Sequence, residues 1–92
     1  RQNAERRMGD LIHKEVKARV AETLLMLKRD FGQNVEGYIN IRLTKQDMAS
    51  YSGTTYETFF RVIHKFAKEN IVKLSGKEIS IISEKKLSKI LN

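Results

Sequence analysis

The chain has 92 residues, with 18 Lys and Arg against 11 Asp and Glu and a net charge of +7. That is the electrostatic footprint of a protein that meets a polyanion, although the same excess also serves solubility alone. Its length suffices for one domain with one core, and the lack of Cys excludes disulfides, thiolate zinc sites, cysteine-held iron-sulfur clusters and a cysteine nucleophile, in keeping with a reducing cytoplasm.

The opening run RQNAERRMGD carries no helix start signal, so the chain reads as a piece of a longer protein. Within residues 1–14, Met8, Leu11 and Ile12 form a helical stripe with little core of its own to meet. This predicts the end of a longer helix whose partner is absent or is another copy of the chain, with Gly9 weakening the helix as a hinge. From Val16 the apolar residues recur at 16, 20, 24, 27 and 31, which predicts a helix that Gly32 ends. Even here the longest apolar run, LLML at 24–27, is far too short to cross a bilayer, and nothing resembles a secretion signal.

After the loop GQNVEG at 32–37, the alternation of YINIRL at 38–43 predicts a short strand. Tyr38, Asn40 and Arg42 would lie on one face and Ile39, Ile41 and Leu43 on the other. Thr44, with Asp47 three residues on, marks the entry of a short helix ending near Tyr51, and Ser52 and Gly53 break it. Thr54 followed by Glu57 has the form of a capping box and opens a second helix, with residues 55–69 as its body. Two helices joined by a short Gly-containing turn outline a helix-turn-helix. IVKL at 71–74 and ISII at 79–82 flank SGKE, a loop of hairpin length that predicts the wing of a winged helix. Ser83 then caps a last helix, EKKLSKIL, whose Leu87, Ile90 and Leu91 are expected to fold back onto the domain. The fold class that results is mainly α with a small β wing.

The stretch TTYETFFRVIHKF poses the functional question, because Phe59 and Phe60 are neighbours and a helix buries one stripe. On a 3.6-residue period Phe59, Ile63, Phe66 and Ala67 face the core with Val62 at their flank. Glu57, Phe60, Arg61, His64 and Lys68 face away, with Tyr56 and Lys65 at the margin. In a helix-turn-helix the second helix enters the major groove of DNA with its N-terminal turns at the base edges. There Arg61 can donate a forked pair of hydrogen bonds to guanine O6 and N7, Glu57 can accept from the cytosine amino group, and Phe60 can lie against a thymine methyl. Thr44, Lys45, Gln46, Thr54, Thr55, Thr58, His64, Lys65, Ser75 and Lys77 are the hydroxyls, amides and cations suited to phosphate oxygens at the helix entries and in the wing.

Each role has a structural rival. Glu57 also serves to close the capping box or to pair with Arg61 one turn on, and Phe60 serves equally to pack under the wing or beneath a missing part of the protein. His13 and His64 stand alone, without ligand spacing, so no metal site is expected. Nor do the residues outline an enzyme: there is no nucleophile with a base, no paired carboxylates in an evident pocket and no Gly-rich phosphate loop. A protein-interaction module with Tyr56 and Phe60 as aromatic anchors is the alternative to DNA binding.

RVAETLLML, LTKQDMASYSGTTYETFFRVI and ENIVKLSGKEISII together resemble the C-terminal DNA-binding domain of the Crp/Fnr transcription regulators over residues 8–82. The most specific part is LT-x-x-D-x-A-x-x-x-G-x-T-x-E-T-x-x-R. The resemblance implies that residues 1–14 end a dimerisation helix and hinge, that 15–92 form the winged-helix domain, and that a homodimer reads an inverted repeat with a TGA-like core. It also implies base contacts by Glu57 and Arg61, with Tyr56 and Phe60 beside them. Backbone contacts are implied for Thr44, Lys45, Gln46, Ser75 and Lys77, and RNA polymerase as a partner in a bacterial cytoplasm. Phe60 stands where the family usually has a small residue, and Tyr56 where an Arg or an aliphatic often precedes the motif Glu. The effector-sensing β-barrel of the family has no counterpart in this sequence, so no cofactor or effector is assigned to it.

Overall fold

The computed structural model describes residues 14–91; the helix and hinge expected over 1–13, and His13, lie outside them. Four helices and a two-stranded sheet follow one another as α1 (Lys14–Phe31), α2 (Lys45–Tyr51), α3 (Tyr56–Lys68), β1 (Val72–Ser75), β2 (Glu78–Ile81) and α4 (Glu84–Leu91). This is a winged helix-turn-helix, as the residue pattern predicts.

α1 buries Val20, Leu24 and Leu27 of the expected stripe and keeps Val16 and Phe31 at the edge of the core. It ends where Gly32 adopts a φ of 74° and donates its N–H to the Lys28 carbonyl at 2.9 Å. A side chain with a Cβ rarely takes that left-handed conformation. In the following loop the Asn34 side chain accepts from the N–H groups of Glu36 and Tyr38, at 2.9 and 3.0 Å, and folds the chain back on itself.

The strand expected over 38–43 does not form. Ile39 makes an isolated bridge with Gln33 and donates its N–H to Ile79 of the wing at 2.8 Å, but the N–H of Ile41 turns back to the Ile39 carbonyl at 2.8 Å. That tight i to i+2 bond consumes the groups a ladder would need. The alternation holds only in part: Asn40 and Arg42 are exposed, but Tyr38 is buried beside Ile39.

Thr44 caps α2 with a complete capping box. Its hydroxyl accepts from the Asp47 N–H at 3.0 Å, and the Asp47 carboxylate accepts from the Thr44 N–H at 3.3 Å. The turn to α3 is anchored by Ser52, which is wholly buried and shares its hydroxyl proton between Thr23 Oγ1 of α1 (2.9 Å) and the Met48 carbonyl (3.0 Å). Thr23 in turn donates to the Arg19 carbonyl at 2.9 Å. A buried hydroxyl is tolerated only when so partnered, and this one ties the helix-turn-helix to α1 at a fixed register.

α3 packs Phe59, Val62, Ile63 and Phe66 into the core shared with α1, α2, the wing and Leu87 of α4. Its C-terminus closes with Asn70 in the left-handed region (φ 60°), the Ile71 N–H on the Phe66 carbonyl at 2.9 Å and the Asn70 N–H on the Ala67 carbonyl at 3.1 Å. Those are the two bonds of a Schellman motif, and they deliver the chain into β1. β1 and β2 pair antiparallel from Val72 with Ile81 to Ser75 with Glu78, leaving a two-residue turn of Gly76 and Lys77. Gly76 has a φ of 60°, at the position that type II′ hairpin turns reserve for glycine. The Ser83 hydroxyl accepts from the Lys86 N–H at 3.2 Å and caps α4 as expected. Leu87 is fully buried and Ile90 partly so, but Leu91 stays exposed, at the edge of a shallow depression that it lines with Leu25 and Met26 of α1.

Candidate nucleic-acid interface

The expected division of α3 into two faces is present. Phe59 is 0% exposed, whereas Glu57, Arg61, His64 and Lys68 are exposed and Phe60 is half-buried. Tyr56, in the first turn, is 43% exposed. One expectation is corrected here. The N-cap is Thr55 rather than Thr54, its hydroxyl accepting from the Thr58 N–H at 3.2 Å and donating to the Thr58 hydroxyl at 3.0 Å. With the cap one residue later, the third helical position is Thr58, so Glu57 closes no capping box. Thr54 instead donates its N–H to the Ala49 carbonyl at 3.1 Å within the turn.

Among the described residues neither Glu57 nor Arg61 has a side-chain hydrogen bond or an ion pair, with each other or with any other group. The rival readings in which they satisfy one another or the helix end are therefore not realised. Lys65 differs from them, its ammonium standing 3.6 Å from the Glu69 carboxylate one turn on.

Beside this face, a groove of about 710 Å³ opens between α2, α3 and the wing. Its floor is apolar, with Ile41, Leu43, Met48, Leu74 and Ile79. Thr44, Lys45, Gln46, His64 and Lys77 supply its polar rim, and Phe60 stands in its wall. Five of the expected phosphate-facing residues are thus gathered by three separate elements. A smaller depression on the other flank of the α3 N-terminus brings Gln46 next to Thr54, Thr55 and Tyr56. Ser75 lies exposed at the wing tip, next to Gly76. Lys65 lines neither cavity.

Phe60 is the residue whose surroundings the sequence does not reveal. Its ring lies 5.0 Å from that of Tyr56, tilted by 55°, and 5.3 Å from that of Phe59, edge to face at 80°. The Lys45 ammonium sits 5.2 Å from its centroid, inside cation–π range. It packs against the core cluster and in the wall next to the wing, so the packing role foreseen as its structural alternative is met in part. Ser52 was readable only as a helix breaker; its bond to Thr23 joins residues too far apart in the chain for any local signal to report it.

No group of three or more His, Cys, Asp or Glu among the described residues is placed to hold a metal ion, and none of their helices is long and apolar enough to cross a membrane.

Residues 18–90 match the model of the Crp-like helix-turn-helix domain. The chain is 31% identical over 84 residues to a CRP-like cAMP-activated global transcriptional regulator of Mycobacterium tuberculosis, covering 89% of this chain and 38% of that protein. It is 32% identical over 82 residues to the fumarate and nitrate reduction regulatory protein of Yersinia pestis, covering 87% and 33%. Among solved structures, the catabolite activator protein of Thermus thermophilus superposes with a TM-score of 0.77 at 27% identity, over 98% of this chain and 40% of that one. The chain therefore spans well under half the length of these relatives, which are transcriptional regulators and not enzymes.

Proposed function

The chain belongs to the Crp-like helix-turn-helix domain family, and from that membership and the geometry of α3 we propose that it is the sequence-specific, double-stranded DNA-binding domain of a dimeric bacterial transcription regulator acting in the cytoplasm. α3, the predicted recognition helix 55–69, enters the major groove. Arg61 donates its forked pair to guanine and Glu57 accepts from the cytosine amino group, each good contact discriminating by about 1–3 kcal/mol. Tyr56, at the N-terminal edge of the same face, lies beside those bases.

The observation that carries this reading is the state of Glu57 and Arg61. Both are exposed on adjacent turns of one helix face, and neither is satisfied within the described residues. Groups so placed are free to exchange water for a partner at little cost to the fold. The groove beside them gathers groups suited to phosphate. Thr44, Lys45, Gln46, His64 and Lys77 line it, and Ser75 flanks it at the wing tip; their hydroxyls, amides and cations neutralise and position the phosphate backbone without reading sequence. Thr54, Thr55 and Thr58 sit at the entry of α3, where backbone N–H groups also favour phosphate. Lys65 contributes less, because it already pairs with Glu69.

A homodimer on an inverted repeat, contact with RNA polymerase, and an effector sensed by a further part of the protein belong to the same proposal, by way of the family. A direct test is titration of a labelled duplex at rising salt. Binding through several phosphates falls linearly on a log–log plot with a slope of about −0.9 per neutralised phosphate. A salt-insensitive partner that is a protein, with Tyr56 and Phe60 at its contact, would replace this reading by the interaction-module alternative.

A further inference from the structure

The geometry points to Phe60 as a positioning residue for Lys45. In this inference Phe60 reads no base. Its ring is a fixed platform that holds the Lys45 ammonium in the groove, ready for a backbone phosphate. The inference rests on the DNA-binding reading above and names a part within it.

Lys45 is the first residue of α2, where the helix dipole disfavours a cation, so its own helix gives the ammonium nothing to hold. No carboxylate among the described residues pairs with it, and the nearby Asp47 is committed to the Thr44 cap. What it has is the Phe60 face, 5.2 Å away and on the other helix of the helix-turn-helix. That ring also packs with two other aromatics, Tyr56 and Phe59, at centroid distances of 5.0 and 5.3 Å.

Lysine carries large rotamer entropy, and a partner that has already restricted it lowers the cost of the next contact. An ammonium has three donors; the ring engages the charge without accepting a conventional hydrogen bond, so the donors remain available to phosphate oxygens. Lys45 shares the groove rim with Thr44, Gln46 and Lys77, so the pinned charge lies among the other groups suited to the backbone. The half-buried setting of Phe60 adds to this: with its ring against Tyr56 and Phe59 and facing Lys45, less of it is left for a base.

The experiment uses the 92-residue chain and a double-mutant cycle of duplex affinity between Phe60→Leu, which keeps an apolar side chain without a ring, and Lys45→Gln. Phe60→Leu should weaken binding about two- to fivefold, the measure of one exposed cation–π contact. The loss should be the same on every duplex, including one with all thymines replaced by uracil, and it should vanish in the Lys45→Gln background. Phe60→Tyr should restore binding. Fluorinated phenylalanines at position 60, which keep the shape while draining the negative ring face, should weaken binding stepwise, and they decide the matter even if Phe60→Leu folds poorly. NMR of the free chain should show the Lys45 Hε protons shifted upfield by the ring.

A loss that is additive with Lys45→Gln, or one that disappears on the uracil duplex, overturns the inference, and the second outcome makes Phe60 a thymine-methyl reader. Unshifted Lys45 protons also overturn it. If the unaltered chain binds duplex with the expected salt slope while the cycle is additive, only the positioning role falls. If neither the chain nor an artificially dimerised form of it binds any duplex, the DNA reading falls and takes this one with it.

Discussion

At the C-terminal end of α1, Lys28 is paired with Glu84 of α4 and Arg29 bonds Asp30 at 3.1 Å. Around the N-terminal half of α3, by contrast, Glu57, Arg61, Lys45 and Lys77 stand without an ionic partner among the described residues. The two regions are built from the same kinds of side chain on helices of the same core. Lys28 and Arg29 are paired within the domain, whereas the charges around the N-terminal half of α3 remain open to a partner outside it. Pairs at an exposed surface add little stability, so their absence there costs the fold little and leaves Glu57 and Arg61 available for the base contacts proposed above.

The largest test of this division is on the inner face of α3. Phe59→Ala removes a wholly buried ring and should cost about 3–5 kcal/mol of stability. Denaturant unfolding measures it, and a loss below about 1 kcal/mol would mean that Phe59 does not anchor the core. Next comes the outer face. Arg61→Ala should cost about 1–3 kcal/mol on the cognate duplex and relax preference at one base pair, with unfolding unchanged. Lys77→Ala, at the wing tip, should weaken all duplexes alike and reduce the salt slope by about 1; a change in sequence preference would instead put Lys77 at a base.

Smaller effects sharpen the boundary between the regions. Ser52→Ala should destabilise by about 1 kcal/mol, because Thr23 keeps its bond to Arg19 and Met48 keeps the Ser52 N–H, so no partner is orphaned. Glu84→Gln should change stability by no more than about 1 kcal/mol and leave duplex affinity where it was, since both partners are partly exposed. A drop in affinity on that substitution would show that the α1–α4 side also meets DNA.

Periodicity carried most of the fold because it reports local burial. The α1 stripe and the inner face of α3 follow from spacing alone, as does the division between Phe59 and Phe60, and the wing follows from two apolar runs around a hairpin-length loop. What periodicity missed depends on hydrogen bonds or on distant partners. YINIRL alternates as a strand does, yet one N–H turned back from Ile41 to Ile39 cancels the ladder. Thr54 and Thr55 are both good caps by type, and only the placement of the Thr55 hydroxyl on Thr58 separates them. Within the candidate site, Glu57 and Arg61 were legible from their position in the helix and from the family pattern. The meeting of Lys45 with Phe60 was not, because it joins two helices that the buried core brings together and no local pattern reports.

The measurement that bears most directly on the account is selection of the chain on random duplex DNA at about 0.15 M salt, where nonspecific binding is already weak, run in parallel on Arg61→Ala. A motif containing a G·C pair should be enriched with the unaltered chain, and preference at that pair should be lost with the variant. An identical motif from both proteins would contradict base reading by Arg61, and with it the claim that the unpaired face of α3 is where sequence is read.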